Sequence, residues 1–165
     1  MSVARVFRHL FAPHWLVRRC FPRATLARIE AAIRDSERSH GGELRFAVEA
    51  GLHLMPLLKG VTPRQRACEE FSRLGIWDTE HNSGVLIYLQ LIDRRIEIVA
   101  DRGISAKVGQ HRWDAICRRM EAAFRAGRFE DGALEAIREI TALLAEHFPA
   151  RPANPDELPD RPVVL

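Results

Sequence analysis

The sequence has no uninterrupted apolar run long enough to cross a membrane, which excludes a transmembrane helix. It has no acidic residue before Glu30, while Arg5, Arg8, Arg18, Arg19, Arg23 and Arg28 all precede or border that point. A secretory leader would follow its first charges with roughly 7 to 15 apolar residues. Here Arg8, His9, Pro13, His14 and Arg18 interrupt every candidate run. The cytoplasm is therefore the expected location, at or near the inner membrane if the basic arm touches an anionic surface.

Cysteine is scarce. Cys20, Cys68 and Cys117 are odd in number and lack CxxC spacing, which argues against a disulfide framework or a zinc ribbon. They are expected to be buried thiols in a reducing compartment. The phosphate-loop pattern, the nucleophile-elbow pattern and a GxGxxG after a strand are all missing, so nucleotide enzymes and serine hydrolases are not indicated. Ser83 beside His81 does not replace them, because residues two apart on an extended segment face opposite ways. There is no internal repeat, and no RNA-binding signature accompanies the aromatics Phe11, Trp15 and Phe21 among the arginines, so nucleic acid is not an expected partner.

What is present suits one domain. The 165 residues are 47% hydrophobic, within the usual domain size of roughly 100 to 200 residues. Such a chain needs neither disulfide nor metal to fold, and no organic cofactor is indicated. Residues 1–21 read as a basic amphipathic arm, with Val3, Phe7, Leu10 and Phe11 on one stripe until Pro13. Residues 22–149 carry the folded domain, and residues 150–165 form a proline-rich extended tail expected to lie on the surface or to dangle.

Within the domain, Leu26, Ile29 and Ile33 share a helix face, and the helix should stop near His40, Gly41 and Gly42. Leu44, Phe46 and Val48 alternate with Arg45, Ala47 and Glu49 as a strand does. His53 to Gly60, broken by Pro56, is expected to be a loop. Thr62, Pro63 and Gln65 predict a capping box opening a helix to about Leu74, closed by Gly75. Val85 to Leu91 is apolar enough for a strand covered on both faces. Asp93 and Arg94 then turn the chain into a returning strand through Ile96, Ile98 and Val99. The Asp93–Arg95 turn is most simply a solvated hairpin end. Two amphipathic helices follow, the first on Trp113, Ile116, Met120 and Phe124, the second on Ala133, Ile137, Ile140 and Leu144.

This order predicts an α/β fold, a three-layer α-β-α sandwich around a small mixed sheet with a parallel crossover and an antiparallel hairpin. The crossover places the starts of the first two strands, and the end of the third, on one edge of the sheet. Glu43, Asp78, Glu80, Asn82 and Asp101 should meet there. Carboxylates and amide oxygens on loops suit a hard cation, Ca²⁺ or Mg²⁺, Ca²⁺ taking roughly six to eight oxygen ligands. The competing reading is structural: Asp78 and Asn82 shape a turn, Glu43 pairs with an arginine such as Arg102, and Asp101 caps a helix.

The blocks Gly42-Glu43-Leu44-Arg45, Asn82-Ser83-Gly84-Val85-Leu86-Ile87-Tyr88, Asp93-Arg94-Arg95 and Asp101-Arg102-Gly103-Ile104 resemble the TPM domain family. Trp113-Asp114, Phe124-Arg125-Ala126-Gly127 and His147-Phe148-Pro149 extend the likeness, which covers roughly Thr25 to Pro149. The resemblance implies the same sandwich, with calcium binding and a weak acid phosphatase activity attached to members. It would place a cation near Asp78, Asn82 and Asp101. Many members have Gly-Tyr-Gly after the third strand, where this chain has Asp101-Arg102-Gly103, and it looks like the shorter cytoplasmic bacterial branch. The expectation is a non-enzymatic accessory or interaction domain that takes a divalent cation at the acidic rim, with a protein partner at or near the membrane. One alternative is a weak metal-assisted acid phosphatase. Another is a membrane-peripheral or partner-docking module acting through the arm.

Overall fold

The structure, a computed structural model, describes residues 9, 15–151 and 157–165. The expected stripe on Val3, Phe7, Leu10 and Phe11 lies outside the described residues. The chain runs through helices α1 (Trp15–Cys20) and α2 (Arg23–Ser36), strand β1 (Leu44–Glu49), and helices α3 (Leu54–Leu58) and α4 (Pro63–Arg73). Strands β2 (Val85–Gln90) and β3 (Arg95–Ala100) follow. Helices α5 (Arg102–Ser105), α6 (Gln110–Arg125) and α7 (Phe129–His147) precede a terminal strand β4 (Val163–Val164).

The sheet order is β3-β2-β1-β4, with β1 parallel to both β2 and β4, and β2 antiparallel to β3. One face carries Leu44, Phe46, Val48, Val85, Ile87, Leu89, Ile96 and Ile98 into the main core with α1, α2, α6 and α7. Alternation sends Ala47, Leu86, Tyr88 and Val99 to the other face, against Ala67 and Phe71 of α4. The predicted α-β-α layers are thus present, with unequal thickness. Both strands β1 and β2 are buried along their whole length, so the polar Arg45 and Glu49 of β1 are covered too.

Local signals explain most boundaries. Thr62 accepts from the Gln65 amide at 3.2 Å while Gln65 accepts from the Thr62 amide at 2.9 Å, closing the expected capping box. Gly75 and Gly127 take left-handed backbones at φ 69° and 76° after α4 and α6. Three expectations need correction. Helix α2 stops at Ser36, before the glycine pair, because Ser36 Oγ donates to the Ile33 carbonyl at 2.7 Å and Ser39 Oγ to that of Ser36 at 2.6 Å. Gly42 is instead a close-approach position: a Cβ there would come within 2.6 Å of Leu144 Cδ2.

The segment 53–60 is not a plain loop, since Leu54–Leu58 forms a helical turn. Pro56 lies in its first turn, where an amide has no intrahelical acceptor to lose. The cysteines are free, and Cys20 and Cys117 are half-buried, but Cys68 is exposed on the outer side of α4. Burial pushes the Cys117 thiol up to about 12.

The proline-rich tail ends as a strand: Val163 and Val164 pair with Ala47 and Val48. Leu158, Val163 and Leu165 pack on the thinner core layer, and Asp160 accepts from Arg34 Nε at 3.0 Å. Two residues of strand after Pro162 carry too little periodicity to be read from sequence.

Gly84 opens β2 where the backbone of Ile76 crosses it, and a Cβ there would lie 2.1 Å from the Ile76 carbonyl oxygen. Gly84→Ala is expected to lower stability by about 3 kcal/mol, an overpacking cost against backbone that cannot yield. Gly60→Ala, in open space but at φ 67°, should cost only about 1 kcal/mol. Urea unfolding midpoints of the two variants check the order.

Candidate functional site

The β1–β2 ladder pairs Leu44 with Val85, and the hairpin pairs Val85 with Ala100. The Val85 amide donates to the Glu43 carbonyl at 2.8 Å and the Asp101 amide to that of Gly84 at 2.9 Å. The starts of β1 and β2 and the end of β3 therefore share one rim, as the crossover requires.

Asp101 is the N-cap of α5, its Oδ1 accepting from the Arg102 amide at 2.7 Å. Its Oδ2 is screened from solvent and has no hydrogen-bond partner among the described residues. Asn82 has a left-handed backbone at φ 51°. Its carbonyl accepts from the amides of Gly103 at 3.0 Å and Ile104 at 3.3 Å, and its Oδ1 from Arg102 Nε at 2.9 Å. Gly103 must be small there, since a Cβ would sit 2.4 Å from the His81 carbonyl oxygen. Arg102 thus reaches Asn82, and Asp101 and Asn82 form one unit around the start of α5.

The other three rim residues are arranged differently. Glu43 is buried, and its Oε1 accepts from the backbone amide of Glu157 in the tail at 3.2 Å. The Glu157 carboxylate accepts in turn from the Glu80 amide at 3.1 Å, so Glu43 and Glu80 meet through the tail. The Glu80 and Asp78 side chains are exposed, and the Asp78 amide closes a turn onto Gly75 at 3.0 Å. Among the described residues, no three His, Cys, Asp or Glu side chains form a group that could hold a metal ion. Ser83 Oγ donates to the Gly41 carbonyl at 3.2 Å. His40, fully buried beside it, lies 2.9 Å through Nδ1 from the Gly42 carbonyl oxygen. Burial holds His40 below the usual imidazole pKa.

A second polar constellation lies under α4, and sequence reasoning missed it. Glu49 accepts from Arg66 Nη2 at 3.0 Å and from the Tyr88 hydroxyl. Arg66 also reaches Glu70 at 2.8 Å, and Glu70 is clamped from outside by Arg73. Glu49, Glu70 and Gln90 are at most 2% exposed. Desolvation opposes the charge on Arg66, but its bonds to Glu49 and the nearby Glu70 outweigh it and raise its pKa. Burial first, then Glu49, pushes the Tyr88 hydroxyl up, so it stays a donor. The register pairs Ala47 with Tyr88 and Glu49 with Gln90 on one face. A glutamate inside an apolar strand, with Arg66 and Glu70 four apart on a helix, was the available signal.

At the opposite end of the sheet from the rim, a groove of about 770 Å³ is lined by Leu16, Cys20, Leu89, Arg94, Phe124 and Phe129, among others. His9 lies beside it. Its Nδ1 accepts from the Leu52 amide at 2.9 Å, which leaves Nε2 to donate to Asp93 at 3.0 Å.

The TPM domain family model matches residues 18–143. Among solved structures, the BA42 protein of the psychrophilic bacterium Bizionia argentinensis is 29% identical, with a TM-score of 0.76 over 86% of this chain and 93% of that one. The N-terminal domain of a P. gingivalis protein is 17% identical, with a TM-score of 0.60 over 85% of this chain and 94% of that one, a likeness of fold. No match was found among curated proteins.

Two outcomes follow from this geometry. Arg66→Met leaves Glu49 and Glu70 buried without their shared cation and should cost about 3 to 5 kcal/mol, measured by denaturant unfolding. For His40, the folded pKa lies below the unfolded one, so the unfolded state binds the proton more readily. Its contribution is present above about pH 6.5 and is lost as pH falls through the folded pKa. Stability measured between pH 7 and pH 5 should decline more steeply in the parent than in His40→Gln.

Proposed function

This chain belongs to the TPM domain family, and we propose that it serves as a non-enzymatic accessory domain that takes a single hard divalent cation, Ca²⁺ or Mg²⁺, at Asp101. The observation that carries this is the Asp101 Oδ2 atom, a screened carboxylate oxygen on the rim without a hydrogen-bond partner among the described residues. A buried acceptor of that kind is costly unless something satisfies it. A cation with water and one carboxylate would do so. Asn82 is the next oxygen donor in reach of the same unit, although its Oδ1 is engaged by Arg102. Glu43 and Glu80, joined through Glu157, act in this reading to dock the tail, and exposed Asp78 to close the turn.

A site with one carboxylate and a nearby guanidinium binds weakly, in the range of extracellular calcium modules at about 10⁻⁴ to 10⁻³ M. A bound cation could itself activate water for phosphate-ester hydrolysis, but a single carboxylate holds it weakly, so binding is the reading supported.

Amide shifts on calcium titration should be largest at Asn82, Asp101 and Gly103, and Asp101→Asn should abolish them. Arg102→Gln removes a positive charge and frees Asn82 Oδ1, and should tighten binding by about tenfold, equivalent to about 1.4 kcal/mol. Shifts absent from all three positions, or unchanged in Asp101→Asn, would refute the site.

A further inference from the structure

The carboxyl ends of β1 and β2 gather elements that the rim does not explain. The Leu91 amide donates to the Glu49 carbonyl at 3.0 Å and the Ile92 amide to that of Ala50 at 3.1 Å, which binds the β2–β3 turn to the segment leading into α3. His9 bridges the same two parts, and Leu16 of α1 lines the groove with the turn. Of the six large apolar side chains most exposed among the described residues, four are here: Leu54 at 45%, Met55 at 61% and Leu58 at 58% on α3, and Trp15 at 55% on α1. Helix α3 is a single turn whose Leu57 is buried while its other leucines and its methionine face water.

The charge around them is mostly positive, and Glu121, which lines the groove, is paired with Arg125. No Asp or Glu occurs from Trp15 to Ile29 or from Ala50 to Cys68. Arg18, Arg19, Lys59, Arg94 and Arg95 are all exposed. The turn's own acid, Asp93, is bonded to His9. Arg94 is held at φ 53° at the tip of the hairpin, a backbone that side chains rarely adopt. Arg19 lies over the Trp15 ring at 5.8 Å.

We infer that this end is a docking surface for an anionic lipid bilayer, with Leu54, Met55 and Leu58 entering the interface, Trp15 at headgroup level, and the arginines and Lys59 against lipid phosphates. Clustered exposed apolar side chains mark interaction surfaces. An indole at the apolar–polar boundary and a cationic surround whose acids are paired fit a phosphate-covered interface. The surface lies at the far end of the sheet from Asp101 and is independent of any cation there.

The test uses the full chain carrying Trp77→Phe, so that Trp15 is its one remaining exposed tryptophan among the described residues. Vesicles of phosphatidylcholine, alone or equimolar with phosphatidylglycerol, are supplied in EDTA so that no cation bridges protein to lipid. Co-sedimentation is expected with the anionic vesicles only, with a blue shift of Trp15 emission and weakening as salt is raised. The exposed double variant Met55→Asp, Leu58→Asp, its fold checked by circular dichroism, should lose about tenfold or more in lipid partition. Undiminished binding by that variant, equal binding to neutral vesicles, or a parent that ignores lipid and self-associates through this face would each overturn the inference.

Discussion

The parallel ladder between β1 and β2, from Leu44 opposite Val85 to Glu49 opposite Gln90, decides what meets what at both ends of this molecule. Because parallel strands need a crossover, α3, α4 and the Gly75–Gly84 connection must pass over one face before β2 can begin. That path presses the Ile76 carbonyl onto Gly84 and fixes the Asn82 loop beside Asp101. A slip of one residue would exchange the apolar set Phe46, Val48, Ile87 and Leu89 with Glu49, Tyr88 and Gln90. The two faces are so different in chemistry that only one register buries both.

The thinner layer pays for its polarity with internal bonding. Arg66 neutralises two buried carboxylates while Tyr88 hydrogen-bonds the nearer one. An ion pair of this kind adds little net stability over an apolar core of the same volume, but losing one partner is severe. Its consequence is positional, since α4 is held at the sheet through Glu49 and Glu70. The C-terminal residues complete the same layer, with β4 on the open edge of β1 and Leu158 and Leu165 over the face. An edge strand that would otherwise be open to other chains is thereby partly covered.

The two ends of the sheet consequently differ. At the amino end the polar residues largely bind one another: Arg102 to Asn82, Glu43 to the Glu157 amide, Glu157 to the Glu80 amide. Asp101 keeps one oxygen without such a partner among the described residues. At the carboxyl end the side chains turn outward, apolar on α3 and cationic around it. A rim held together from within and a face exposed to solvent are different starting points for function.

By itself the sequence determined the helices with strong stripes, the capped start of α4, the hairpin and the parallel crossover, because each is written in local periodicity or in turn and cap residues. It therefore also placed Glu43, Asn82 and Asp101 at one rim, since chain direction alone puts those strand ends together. Tertiary structure decided the partners. Whether Arg102 reaches Glu43 or Asn82 depends on the angle of α5, which Gly103 sets by packing on the His81 carbonyl. The burial of Glu43 depends on a tail that local signals left as an extended segment, and the Glu49–Arg66–Glu70 cluster depends on how α4 lies across the sheet. Periodicity encodes which face a side chain takes, and only packing encodes what it meets there.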